Sequence, residues 1–144
     1  ALSATSSYAR KVAAEVLGKI RRTAAVPALL QALSDSDSGV RKAAALALGE
    51  IGDAAAVPGL LQTLSDSDSS VRWAAVLALD KQIAMHKEWD LIAINTIANE
   101  LAICVYDPDN SVGMNAASAL IQAVTALSVR DAASLGDAQQ LNWQ

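Results

Sequence analysis

Two stretches of the chain are nearly identical: residues 25–38 read AVPALLQALSDSDS, and residues 56–69 read AVPGLLQTLSDSDS. They are offset by 31 residues, and the match continues beyond them, where Arg41 aligns with Arg72. Self-similarity with a period of about 20–50 residues is the signature of repeat architectures, in which each unit buries its apolar face only against its neighbours. The chain is therefore predicted to be an array of stacked units.

Two further copies flank this pair. Before it, Arg10 aligns with Arg41 at the same offset, and after it Asp107 and Asp109 follow Asp66 and Asp68 at an offset of 41 residues. The longer offset indicates an insertion. We treat residues 1–144 as one domain with a half repeat 6–24, a repeat 25–55, a repeat 56–82, an insertion 83–97, a degenerate repeat 98–127 and a tail 128–144.

Each repeat is predicted to contain two helices. The first carries apolar residues at helical spacing, with Pro58 in its first turn, where a missing N–H costs little. The second follows the Asp-rich turn, and Gly52 is placed as its C-terminal cap. Its predicted N-caps are Ser6, Asp37, Asp68 and Asp109. The absence of Phe and an aromatic share of only 3% also favour closely packed helices over a sheet. The predicted fold is an all-α right-handed α-solenoid of about seven helices.

The repeated unit resembles the HEAT-like repeats of the phycobilisome-lyase (E–Z) type, closely over residues 6–79 and loosely over 98–123. The resemblance implies a solenoid whose second helices line the concave surface. It also implies that turn aspartates pair with arginines of neighbouring repeats; the residues concerned are Asp35 and Asp66, with Arg10, Arg41 or Arg72. Because Gly113 replaces the arginine in the last copy, this ladder is expected to stop there. We expect Arg41→Ala to be mildly destabilising, by about 0–1 kcal/mol.

One stripe of the second helices does not repeat. Its positions lie four residues apart on one helical face and read Lys11, Glu15, Lys19; Lys42, Leu46, Glu50; Trp73, Leu77, Lys81; and Met114, Ser118, Gln122. Aromatic and Met side chains beside charges are typical of protein-binding surfaces. We predict a partner-binding surface formed by Lys42, Leu46, Trp73, Leu77 and Met114. The alternative is that the insertion folds over these residues and buries them.

The insertion and the tail interrupt the period. We expect the helix that begins at Ser69 to run long and the next helix to start at Asp90, with a tight turn between them. Residues 128–144 are polar with Trp143 near the end, and they are interpreted as a cap, a frayed tail or the edge of a truncated chain.

Sequence motifs for catalysis are weak. His86 is the single histidine, and Glu88 and Asp90 are poor partners for a metal site. Iron-dependent hydroxylases built on similar repeats need several His-Glu pairs, which this chain lacks. Cys104 is interpreted as a buried structural residue, because no histidine is near in sequence to act as a base. The DSDS turn lacks the Gly and terminal Glu of a Ca²⁺ loop. We predict no catalytic residues, no metal and no cofactor.

The charge of the chain disfavours nucleic acid as a partner. The formal net charge is −4, although residues 1–50 carry +3. A nucleic-acid binder needs a basic face for phosphate neutralisation. No signal pattern or long continuous apolar run is present, so we expect a cytoplasmic protein without a membrane span. The absence of an initiator Met is expected for a processed chain or for a piece of a longer one.

Two functions of different classes remain. The first is a non-catalytic interaction scaffold that holds a protein partner on its concave face. The alternative, implied by the resemblance alone, is a phycobilisome-related bilin lyase subunit or chromophore chaperone. The sequence leaves the partner and the oligomeric state open.

Overall fold

The computed structural model describes the backbone of residues 6–141 and the side chains of residues 6–133. Within residues 6–141 there are seven α-helices, two short 3₁₀ helices (Thr23–Ala25 and Ala54–Ala56) and no β-strand. The α-helices are α1 (Ser7–Ile20), α2 (Val26–Ala32), α3 (Ser38–Ile51), α4 (Val57–Thr63), α5 (Ser69–Met85), α6 (Leu91–Cys104) and α7 (Asn110–Leu141). The predicted all-α solenoid is confirmed.

The helices form two rows. Helices α1, α3, α5 and α7 make the first row, in which each packs against the next; α2, α4 and α6 make the second row, and each packs against the helix that follows it in the chain. The apolar side chains form one cluster, whose largest members include Leu29, Leu48, Leu60, Leu79 and Leu101. Burying one such leucine contributes roughly 1.5–3 kcal/mol. Because these leucines come from several repeats, a single pair of helices could not form this core alone.

Helix ends follow the predicted capping in most copies. Asp37 Oδ1 accepts a hydrogen bond from Val40 N at 3.1 Å, and Asp68 and Asp109 accept bonds from the amides two residues on. Gly52 ends α3 with φ 73°, in the left-handed region that favours glycine. These predicted caps are confirmed.

The N-cap predicted at Ser6 is confirmed in position at the start of α1, but the hydrogen bond predicted for its side chain is not made. In the other copies the carboxylate two residues before the cap accepts the cap's own N–H, as Asp35 does from Asp37 at 2.9 Å. The sequence has Ala4 at the equivalent place, so nothing in the sequence builds that turn around Ser6.

Small residues set the separation of the first-row helices. A Cβ added to Gly18 would lie 2.8 Å from Cα of Ala47, and a Cβ added to Gly49 would lie 2.8 Å from Cα of Ala78. Real Cβ atoms almost never approach so closely, so α1 and α3, and α3 and α5, are in backbone contact at these points. Glycine is needed here for close approach of two helices rather than for an unusual φ.

Arginine–aspartate pairs join successive repeats. The guanidinium Nε donates to a carboxylate oxygen at 2.7, 2.8 and 2.6 Å in the pairs Arg10–Asp35, Arg41–Asp66 and Arg72–Asp107. Each pair is bidentate. The hydrogen bonds from Arg10 and Arg72 lower the pKa of Asp35 and Asp107. The implied ladder is confirmed and reaches one repeat further, to Asp107; the helix that follows carries Gly113 in place of the arginine.

The insertion is divided between two helices, as predicted. Helix α5 continues to Met85, and α6 begins after Asp90, whose side chain caps Ala93 N at 2.8 Å. Between them, His86 Nε2 lies 2.6 Å from the Gly52 carbonyl oxygen and Nδ1 lies 2.9 Å from Glu88. Its ring stacks on Trp89 with centroids 4.5 Å apart. His86 therefore ties the turn of the insertion to the end of α3.

Helix α7 is the longest helix and crosses the predicted start of the tail at residue 128, ending at Leu141. Trp143 lies outside the described residues. The segment Asn110–Ala133 of α7 has a mean hydropathy of 1.4 and is long and apolar enough to cross a membrane. This property was not expected from the sequence. The same segment packs on α5 and α6 and is capped by Asp109. One helix of this kind is weak evidence of a membrane protein, because core helices meet the same test.

We expect Gly49→Val to destabilise the fold by about 1–3 kcal/mol, the usual cost of forcing extra atoms into a tight contact. The new side chain would separate α3 from α5 at Ala78. Chemical denaturation monitored by circular dichroism measures the loss. Ala9→Val, at an exposed position of α1, is the control for β-branching in a helix. Equal stability of the two variants would contradict the close contact.

We expect Arg41→Ala to lower the free energy of unfolding by about 1–3 kcal/mol, more than the sequence alone suggested, because charge-assisted hydrogen bonds are lost. Arg41 also donates to the carbonyl oxygens of Asp35 and Ser36. Arg22→Ala, at an exposed position, should change stability by less than about 0.5 kcal/mol. A double-mutant cycle with Asp66→Asn isolates the pair, and a coupling energy of zero would show that it does not link the repeats.

The pKa of His86 is predicted to lie above 6.5. Burial lowers it, but the hydrogen bonds with Glu88 and with the Gly52 carbonyl together outweigh burial and raise it. Stability from the protonated ring is then fully present below pH 6.5 and is lost as pH rises through the folded pKa. His86 is the single histidine, so an NMR titration of its ring proton measures this directly. Glu88→Gln should lower the pKa; titration of the native ring below 6.5 would refute the arrangement.

Candidate functional site

The five predicted partner-binding residues all lie on helices of the first row. Lys42 and Leu46 are on α3, Trp73 and Leu77 are on α5, and all four are half-buried. Met114 is on α7, and 67% of it is exposed. The stripe is therefore accessible along its whole length, with its most exposed member at the far end.

The structure brings Lys42 and Trp73 together. The Lys42 ammonium lies over the Trp73 ring, 5.4 Å from its centroid, a cation–π geometry. Leu46 and Trp73 also pack against the buried core. The half-buried ring is thus in contact with the core and has the Lys42 ammonium over it. No contact described for Met114 joins it to these residues.

The insertion does not bury Trp73 in the described structure. Residues of the insertion instead lie together with α7 around a cavity of about 740 Å³ at the other end of the first row, named here the second cavity. Its wall includes Ile83, His86, Ile94, Ala126 and Arg130. The cavity could not be predicted from the sequence, because the period of the repeat gives no information on how an inserted turn packs against α7.

A larger groove of about 840 Å³ lies between α1 and α3. Lys42 and Leu46 line it. So do stripe residues that were not predicted as partner-binding: Lys11, Glu15, Lys19 and Glu50. Their place on the same four-residue stripe was visible in the sequence. The predicted partner-binding set took mainly the apolar members of the stripe. Counting the charged members as well would have included these four residues.

Arg21 also lines the groove, and sequence reasoning missed it. It ends α1 with φ 55°, and it aligns with Gly52, which ends α3 in the same left-handed conformation. Arg21 donates to Glu50 at 2.7 Å, and Glu50 also pairs with Lys81. The hydrogen bond with Lys81 and that with Arg21 lower the pKa of Glu50. This network crosses three helices of the first row and fixes one end of the groove.

The described residues offer few groups suited to metal binding or nucleophilic catalysis. Among residues 6–133, no three His, Cys, Asp or Glu side chains are placed to hold a metal ion. The Cys104 thiol is buried, and burial raises its pKa, which disfavours the nucleophilic thiolate. Asp90, considered as a metal ligand, caps α6 instead. The arrangement offers apolar side chains and cations around an open groove, and the Trp73 ring lies under one of those cations, Lys42.

The comparisons with known proteins agree with this fold. The structure resembles an engineered protein of known crystal structure, with a TM-score of 0.67 and 29% sequence identity over 85% of this chain. It also resembles a chain in the complex of CpcE and CpcF of phycocyanin lyase from Nostoc sp. PCC7120, with a TM-score of 0.59 and 28% identity over 86% of this chain. This chain spans 59% and 62% of the length of those two chains.

No curated protein sequence matches the chain. The family of HEAT repeats matches residues 1–80, which are more than half of the chain. That match covers the half repeat and the two regular repeats, the same part in which the Gly–Ala contacts and the first two arginine–aspartate pairs are found. The chain belongs to the HEAT-repeat family.

Proposed function

We propose that the chain is a non-catalytic interaction scaffold that binds a protein partner on the concave face formed by the first row of helices. The partner-binding residues of the proposal are Lys42, Leu46, Trp73, Leu77 and Met114. The observation that carries it is the half-buried Trp73 ring under the ammonium of Lys42, a residue that itself lines the open groove. HEAT repeats as a family suggest such a scaffold.

The contrast between repeating and non-repeating positions supports the proposal. At the closest contacts of α1 with α3 and of α3 with α5, the sequence keeps Gly against Ala in both copies, because packing admits nothing larger. At the position of Trp73 the earlier copies have Lys11 and Lys42, so packing does not dictate a tryptophan there. Tryptophan is among the residues that contribute most to binding at interfaces, and a half-exposed one costs solubility unless a partner covers it.

Trp73→Ala should weaken partner binding by about 2 kcal/mol, or roughly thirtyfold, the usual size for an interface hot spot. Peptides selected on the native chain from a random display library serve as partners, and fluorescence anisotropy measures their affinity. Stability should fall by less than the about 3–5 kcal/mol of a fully buried aromatic, because the ring is half-buried.

The matched control is Tyr106→Ala, which removes another exposed aromatic, 88% exposed, that follows α6 in the second row. Affinity should stay within about twofold, because Tyr106 is not on the stripe and does not line the groove. Selected peptides that bind both variants as well as the native chain would contradict the proposed surface.

A second candidate function is a bilin lyase subunit or chromophore chaperone. The observation in its favour is the similarity to a chain of the CpcE and CpcF complex of phycocyanin lyase. Titration with an open-chain tetrapyrrole should then change the absorption spectrum of the pigment. An unchanged spectrum would remove this candidate and leave the scaffold. A cytoplasmic location, expected from the sequence, stays a prediction under either function.

A further inference from the structure

We infer that the partner segment bound at the groove is acidic and carries a large apolar side chain next to its carboxylates. This inference rests on the proposed function and adds the chemistry of the partner. It is carried by the charges around the groove and by their position relative to Trp73.

The groove is positively charged although the chain is acidic. Four cationic side chains line it, Lys11, Lys19, Arg21 and Lys42, against two carboxylates, Glu15 and Glu50. The whole chain has a formal net charge of −4. A local excess of one sign in a concave surface concentrates the opposite charge and speeds its association.

The two carboxylates of the groove are already paired. Glu50 binds both Arg21 and Lys81, and Glu15 lies 4.0 Å from Lys11. Among the described residues, no carboxylate lies within ion-pair distance of Lys19 or Lys42, so neither ammonium group has an anionic partner; that of Lys42 lies over the Trp73 ring. These two lysines therefore define the charge that the partner meets.

Lys42 also connects the charge to the apolar part of the surface. Its ammonium lies over the Trp73 ring, and Leu46 lies one helical turn further along α3 and lines the same groove. A partner carboxylate that binds Lys42 would bring the neighbouring side chain of the same segment to the Trp73 ring. The surface is thus expected to favour a segment that carries both a carboxylate and an apolar side chain. A purely acidic segment would bind Lys42 but leave Trp73 without a contact.

The observations favour a peptide over a nucleic acid. A nucleic-acid strand would bring a phosphate for each nucleotide, whereas the groove offers two lysines without a carboxylate partner and contains two glutamates. The affinity of a protein for nucleic acid grows with the number of phosphates that it neutralises. Two lysines without a carboxylate partner therefore supply little of that affinity. A peptide with one or two carboxylates matches this number.

The test uses peptides selected from a random display library on three proteins: the native chain, Lys42→Glu and the control Lys87→Glu. Lys87 lines the second cavity, so its reversal changes the net charge equally without touching the groove. Peptides selected on the native chain and on Lys87→Glu should be enriched in Asp and Glu beside an aromatic or aliphatic residue. Lys42→Glu should lose the enrichment.

Affinities of one selected peptide and of its amide analogue, with Asn and Gln replacing Asp and Glu, complete the test. The analogue should bind the native chain about tenfold more weakly, as expected for the loss of a close charge pair. Lys42→Gln, which removes the charge without reversing it, should bind both peptides equally. Circular dichroism of each variant confirms that it is folded.

Each outcome decides a separate point. Peptides that depend on Trp73 but show no acidic enrichment would overturn this inference and leave the proposed function standing. Peptides that are indifferent to Trp73→Ala would overturn both. A single-stranded oligonucleotide that displaces the selected peptide with equal or higher affinity would overturn the inference in favour of a phosphate-bearing partner.

Discussion

The close approach of neighbouring helices in the first row is the constraint on which the rest of this structure depends. Gly18 meets Ala47 and Gly49 meets Ala78 at distances that leave no room for another carbon atom. Helices this close are held by contact along their backbones, so each joint has one geometry. The stripe of side chains that faces the groove is therefore carried on a scaffold whose spacing the small residues set.

The arginine–aspartate pairs fix the register of that scaffold. Arg41 binds the carboxylate of Asp66 in the next turn and the carbonyl of Asp35 in its own, so one guanidinium links two consecutive turns. The third joint is built differently. Asp80 stands where the earlier copies have Gly49, and burial raises the pKa of its carboxyl group. The regular Gly pattern thus ends at Asp80, and its helix, α5, is the one that runs on into the insertion.

The sequence allowed the repeat and most of its caps to be predicted, because each is determined locally or repeats with the period. The pairing of Arg41 with a turn aspartate was implied by the resemblance to HEAT-like repeats. It failed where the cause lies outside the repeat. Ser6 has the right residue type for a cap but lacks the preceding aspartate that shapes the turn in later copies. Arg21 was missed because its partner, Glu50, becomes a neighbour only when α1 and α3 stack. Whether the insertion covers Trp73 depends on the packing of α7, which no local pattern encodes.

Repetition separates two kinds of position on the same helices. Residues in the contacts between repeats must stay small or stay paired, and they change little from copy to copy. Residues on the stripe need not stay small, and only some of them, such as Glu50 and Lys81, pair between repeats, so stripe positions can take on charge or aromatic character one copy at a time. Lys42 and Trp73 occupy equivalent places in successive repeats, and the stacking that small residues impose brings the ammonium of one over the ring of the other. A binding surface can thus arise from differences between copies while the contacts that build the solenoid remain the same.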